Sequence, residues 1–416
     1  MLKVRVIAGV AVVALALAAA ACGGEDDDET GAGATTAAPA DVEGTVELSG
    51  WASSPTETTL LKQVIADFES QYPKITVKYA PVSGDYPASM LAKFSARKPP
   101  DVFYVDSNVV PDWIDQDLLE PLDQYIDDSD FDTDAFYGPL LDAFKGPDDQ
   151  LYGLPKDWSP LAMFTNDALL EQAGVEPPGN WEELEAAADK FMVKGGKPIC
   201  LGADWARMLA FAGQNGGSFL SEDRTEVTVN SDEVKEAAEF YVGLVESGKA
   251  APPDKLGSGW CGEALGKEKA AIVFEGNWLV PFMGDTFPDV GYSIHPMVEN
   301  EQDGNLAFTV SYSMAADSKQ KDAAWVLLSY LTGPDGMKTW TSKGLALPSR
   351  EDVEPVEGRD AFFEAPDAAK PWQFAPGFSD VIAVANNELG AVFEGKQTVD
   401  GMLEKVEESA NQALEK

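Results

Sequence analysis

Tryptophans and short polar side chains gather where this chain turns, and that mix suits a sugar. Trp51, Ser53, Ser54 and Glu57 lie in the first strand-to-helix turn, while Asp106 and Ser107 close a third strand. Lys156, Asp157 and Trp158 fall where the chain passes from one half to the other, and Trp278 follows the apolar run 271–274. Carboxylates and amides grip pairs of hydroxyls, and a flat indole covers the C–H face of a sugar ring. Each residue has a plainer account too. Ser53, Ser54 and Glu57 suit a helix cap, and Asp106 suits the cap of the next helix. Trp51, Trp158 and Trp278 suit a core, and Trp205, Trp260, Trp325 and Trp340 are read as core residues.

Other chemistry finds no motif. A Gly-x-Ser-x-Gly elbow and a phosphate-binding Walker loop are missing from the sequence, and no GxGxxG follows an expected strand. The single His295 removes most catalytic triads and His-rich metal sites. With 71 Asp+Glu, chance pairs of carboxylates carry no signal for glycoside hydrolysis. The expectation is a binding protein without catalysis, cofactor or metal.

The candidate residues need a scaffold that collects strand ends. Segments 45–49, 75–79 and 101–106 read as strands, with helices over 56–72 and 86–96 between them, which is the doubly wound α/β pattern. Run 271–274 reads as a strand buried on both faces. Gly276 and Asn277 end it in a turn expected to use positive φ. Ligands bind at the carboxyl ends of the strands in open sheets of this kind. Helices are expected over 181–193, capped by Asn180, over 231–247, over 321–331, and through most of the C-terminal part.

At 416 residues the chain is long enough for two lobes, and 44% hydrophobic residues supply real cores. The formal charge of −41 opposes nucleic acid and anionic lipid surfaces. Lys3 and Arg5 precede apolar residues 6–21, the layout of a secretory signal. Cys22 follows three alanines and precedes Gly23 and Gly24, which resembles a bacterial lipobox, with Ala19 where Leu is usual. Cys22 is therefore expected to carry lipid, ordinary cleavage at the alanines being the alternative. Residues 22–44 read as a flexible linker. Of 3 cysteines, Cys200 and Cys261 remain, and in an exported chain they are expected to form a disulfide.

The body resembles the carbohydrate-type extracellular solute-binding proteins of ABC importers, the group that includes maltose-binding protein. The resemblance is carried by 100–106 (Pro-Asp-Val-Phe-Tyr-Val-Asp), 153–155 (Gly-Leu-Pro), 164–170 (Phe-Thr-Asn-Asp-Ala-Leu-Leu), 181–184 (Trp-Glu-Glu-Leu), 274–278 (Phe-Glu-Gly-Asn-Trp) and 395–400. It implies an α/β, two-lobed periplasmic-binding-protein-like fold with a ligand cleft between the lobes. The implied role is binding a sugar and delivering it to ABC transporter permease subunits, outside the cytoplasm and anchored to the membrane as a lipoprotein. Lobes are expected at 45–157 with 292–331, and at 158–291 with 332–416, after a signal peptide at 1–21. Trp278 matches the family's stacking position, and 156–159 matches a crossing that touches ligand. Val105 and Ile382 stand where maltose-binding protein has tryptophans, so maltodextrin-like recognition is not implied. A secreted carbohydrate hydrolase and the same fold with a non-sugar solute are the rival readings.

Overall fold

β1 (Gly44–Ser49) pairs in parallel with β2 (Ile75–Tyr79) on one side and β3 (Val102–Asp106) on the other. Helices Pro55–Gln71 and Tyr86–Ser95 make the two crossovers. The first buries Leu60, Leu61, Val64, Ile65 and Phe68, an apolar stripe at helical spacing that seats it on the core. Val102, Phe103, Tyr104 and Val105 are all fully buried, as expected for a strand covered on both faces. This structure is a computed structural model, and it describes residues 39–51, 55–193, 198–364, 369–372 and 374–415. The expected signal segment, Cys22, Ser53 and Ser54 lie outside the described residues.

β4 (Leu154–Pro160) leads directly into β5 (Ala162–Asn166), the start of a second sheet. That sheet adds β6 (Ile199–Cys200), β7 (Ala250–Ala251), β8 (Ile272–Glu275) and β9 (Tyr292–His295), in the order β7-β6-β8-β5-β9. Strand period sorts its side chains onto two buried faces: Ile272 and Phe274 enter one core, and Val273 enters another. β10 (Asn305–Met314) returns to the first sheet, antiparallel to both β3 and β4, and β11 (Ala369–Pro371) joins it in parallel.

β4 and β10 link the two halves. Leu154 packs in the first core and Trp158, four residues on, packs in the second half. Along β10, Leu306 belongs with the second half, while Tyr312 and Met314 belong with the first. The β4–β10 register shifts between Val310 and Ser311, where the pair bends. Cys200 and Cys261 form a disulfide, tying the end of β6 to the start of helix Cys261–Gly266.

Two placements bear on the expected lobe boundaries. β9 at 292–295 pairs with β5 in the second sheet. Helix Pro334–Thr341 packs on helices Pro55–Gln71 and Lys321–Thr332 of the first half. Gly333 ends one helix and begins the next.

Candidate functional site

Ends of β1, β3 and β8 and the middle of β4 converge on a cleft of about 580 Å³, bordered by both halves. Trp51 borders it from the first strand-to-helix turn, Glu57 from the first turn of helix Pro55–Gln71, and Asp106 from the end of β3. Lys156, Asp157, Trp158 and Ser159 form its floor on β4, and Asn277 and Trp278 close it from the second sheet. Apart from Ser53 and Ser54, every residue proposed as ligand-binding therefore borders one cavity.

Three groups interlock on the floor. Lys156 is 3% exposed, and its Nζ lies 4.1 Å from the Trp340 ring centre and 4.8 Å from that of Tyr104. Its ammonium pairs with the Asp157 carboxylate, and Trp340 Nε1 donates to Asp157 Oδ2 at 2.9 Å. A buried lysine is tolerable because two ring faces and one carboxylate meet its charge. Trp340 belongs to the first core and yet borders the cleft, so the core expectation is half of the answer. Trp158 is more fully a core residue: it is 3% exposed, and its Nε1 donates to Pro348 O at 2.8 Å.

Trp278 is half-buried, with one side held by protein. Its Nε1 donates to Glu275 Oε2 at 3.1 Å, and its ring meets Phe308 edge-on at 5.2 Å and 87°. Glu275 is itself 3% exposed and takes a 2.5 Å bond from Arg207 Nη2. Burial pushes the Glu275 carboxyl above its ordinary range, and Arg207 opposes that rise. The turn before Trp278 differs from expectation: neither Gly276 nor Asn277 has positive φ. Gly276 is needed because a Cβ there would lie 2.2 Å from the indole, so the ring is folded over the glycine. Asn277 ties the turn down. Its N–H donates to Ser159 Oγ at 2.7 Å, its Nδ2 donates to Gly344 O at 3.1 Å, and its Oδ1 accepts from Arg359 Nε at 2.7 Å.

Asp106 Oδ1 accepts the Asn108 N–H at 3.2 Å, closing a local turn. It does not cap the next helix, Val110–Asp115, which starts from Val109 without a side-chain cap. Burial pushes its pKa up to about 6 from 3.8; the Asn108 bond opposes the rise and the charge of Asp157 adds to it. A carboxyl raised on folding stabilises fully below its unfolded pKa and loses that contribution as pH rises through the folded value. Asp106→Asn should therefore melt above wild type between about pH 6 and pH 8, and lose the advantage below about pH 4. Melting curves across pH check this, and a constant offset at every pH would contradict it.

Phe282 and Phe308 escaped the sequence reading, and Trp260, read as a core residue, reaches the cleft. Trp260 is half-buried and borders the cleft together with Phe282, whose ring lies 4.8 Å away. Phe308 borders it from β10. Trp260 lacks the signal that marked Trp278, since it follows a glycine-rich loop and no strand. Among the described residues, no group of three or more His, Cys, Asp or Glu is placed to hold a metal ion. No helix among them is long and apolar enough to cross a membrane.

Residues 52–338 match a family described as bacterial extracellular solute-binding protein. A Brucella abortus protein named as a binding protein is 27% identical over 383 residues, covering 85% of this chain and 90% of its own length. A solved Listeria monocytogenes ABC substrate-binding protein, in complex with cycloalternan, shares the fold at a TM-score of 0.80 and 24% identity, covering 90% of this chain and 99% of that one. The UgpB protein of Mycobacterium tuberculosis, solved with glycerophosphocholine, does so at 0.78 and 16% identity over 90% and 99%. Those two likenesses are of fold.

Proposed function

The chain belongs to the bacterial extracellular solute-binding protein family, and on that premise we propose that its cleft holds a sugar or oligosaccharide for delivery to an ABC transporter permease. The observation that carries the reading is the pairing of indoles with fixed polar groups in one cavity: Trp278 and Trp260 beside Asp106, Asp157 and Lys156. Hydroxyl pairs suit the carboxylates and the ammonium, and C–H faces suit the rings. A ligand touching both halves favours the closed arrangement by its differential affinity for it, with β4 and β10 as the crossings that bend.

Binding without turnover is part of the proposal. Oligosaccharides incubated with the protein should be retained on dialysis and recovered with unchanged mass. A product of lower mass would support the hydrolase instead. The proposed lipid anchor at Cys22 has its own test. The mature protein should begin at a diacylated Cys22, and an intact mass without lipid would remove the anchor while leaving the cleft untouched.

A second reading is a cationic solute. Glu57, Asp106, Asp157 and Asp285 border the cleft against the single cation of Lys156, and aromatic faces attract ammonium groups. A polyamine that binds more tightly than any sugar would favour it.

A further inference from the structure

Trp260 stands immediately before Cys261, the first residue of helix Cys261–Gly266. Its partner Cys200 ends β6, and Ile199 of that strand pairs with Ile272 of β8, the strand that leads to Trp278. The bond thus ties the base of one cleft indole to the sheet that presents the other. Behind the two rings lies a second chamber of about 470 Å³, bordered by both cysteines, Trp260 and Trp278. The same two tryptophans border the main cleft, so they stand between the two spaces.

Trp260 O accepts the Ala264 N–H at 3.2 Å, while its indole makes no hydrogen bond among the described residues. Its backbone is extended, at φ −158 and ψ 169, and its side chain caps nothing. The loop before it is held mainly by local hydrogen bonds: Gly257 N–H to Asp254 O at 3.1 Å, Ser258 N–H to Pro253 O at 2.9 Å, Gly259 N–H to Glu263 Oε2 at 2.6 Å and Lys267 Nζ to Gly257 O at 2.9 Å. The ring lies over Gly262, where a Cβ would come within 2.3 Å of it, and leans on Phe282. By contrast the helix that follows is anchored by its own buried Ala264 and Leu265. Removing the bond should let the Trp260 ring and the loop before it shift while the helix stays seated.

We propose that the Cys200–Cys261 disulfide is a positioning element for the cleft: it sets Trp260 as a wall, and the grip on ligand depends on it. The inference rests on the cleft being the binding site. Because the ligand is not identified, the first arm of the test uses none. Protein carrying 5-fluorotryptophan is compared by fluorine NMR at 25 °C as wild type and as C200S/C261S, with the Trp260 signal assigned by Trp260→Phe. The Trp260 signal should shift or broaden in the serine variant, while those of Trp51 and Trp340 in the first half stay in place. An unmoved Trp260 signal overturns the proposal. So does collapse of all the signals, since the bond would then be holding up the lobe and not one wall.

The second arm titrates maltotriose. Its affinity should fall about tenfold in C200S/C261S and equally in Trp260→Ala, and the triple variant should lose no more than Trp260→Ala alone. Independent, additive losses would contradict the proposal, because a bond that acts elsewhere in the lobe has no reason to share its effect with one indole. If wild type binds no maltotriose, a result that Val105 and Ile382 already accommodate, the sugar reading stands for other sugars and the fluorine arm alone decides whether the bond positions Trp260.

Discussion

Arg207→Met should lower folding stability by about 3 kcal/mol, the low end of the ~3–5 kcal/mol expected when one partner of a buried ion pair is removed. The low end applies because the Arg207 side chain keeps 18% exposure, while that of Glu275 keeps 4%. In wild type, burial works against the guanidinium charge, and Glu275 and Asp204 outweigh it, holding Arg207 above its usual range. Without Arg207 the Glu275 carboxylate keeps the Trp278 N–H as a partner but loses its countercharge. Its pKa, already raised by burial, should rise further. A carboxyl raised on folding costs stability as pH climbs through its folded pKa, so the deficit should be largest near neutral pH and shrink as pH falls. Adding Glu275→Gln should recover much of the loss by removing the uncompensated charge. Denaturant unfolding at two pH values measures all of this, and a deficit that does not vary with pH would count against the charge argument.

Trp278→Ala should weaken ligand binding roughly tenfold to a hundredfold, the ~1–3 kcal/mol expected for a lost aromatic face. The melting temperature should change little by comparison, because the ring is half-buried and its open side faces the cleft. A tryptophan enclosed on all sides behaves differently, with truncation costing ~3–5 kcal/mol of folding stability. Trp205, fully buried, is of that second kind. Affinity and melting temperature measured on the one variant separate the two cases. A large drop in melting temperature with affinity retained would make Trp278 a core residue and deprive the cleft of its main platform.

Asp106 and Trp278 could be placed from the sequence because each carries a local mark at a strand end. An apolar run that stops at a carboxylate located Asp106, and one that stops at Gly-Asn located Trp278. The same marks placed β1, β2 and β3 in their doubly wound order. Trp340 carries no such mark. It lies on helix Pro334–Thr341 at a position that reads as core, and it is 4% exposed. Its bond to Asp157 spans 183 residues of sequence, so its place at the cleft depends on tertiary packing that periodicity does not encode. The Arg207–Glu275 pair, 68 residues apart, is hidden for the same reason. Gly276 was found for the wrong cause. The sequence suggested a left-handed turn, whereas the structure uses the missing Cβ to let an indole lie against the backbone.

A thermal-shift series over sugars tests the proposed role most directly, with a polyamine and a glycerophosphodiester as controls. A ligand bound by the folded state alone raises stability by RT ln(1 + [L]/Kd), about 2.7 kcal/mol at a hundredfold excess over Kd. At least one sugar should raise the melting temperature of wild type with that dependence on concentration, and raise that of Trp278→Ala far less at the same concentration. If no sugar moves the transition while the polyamine or the phosphodiester does, the cleft is not a sugar site.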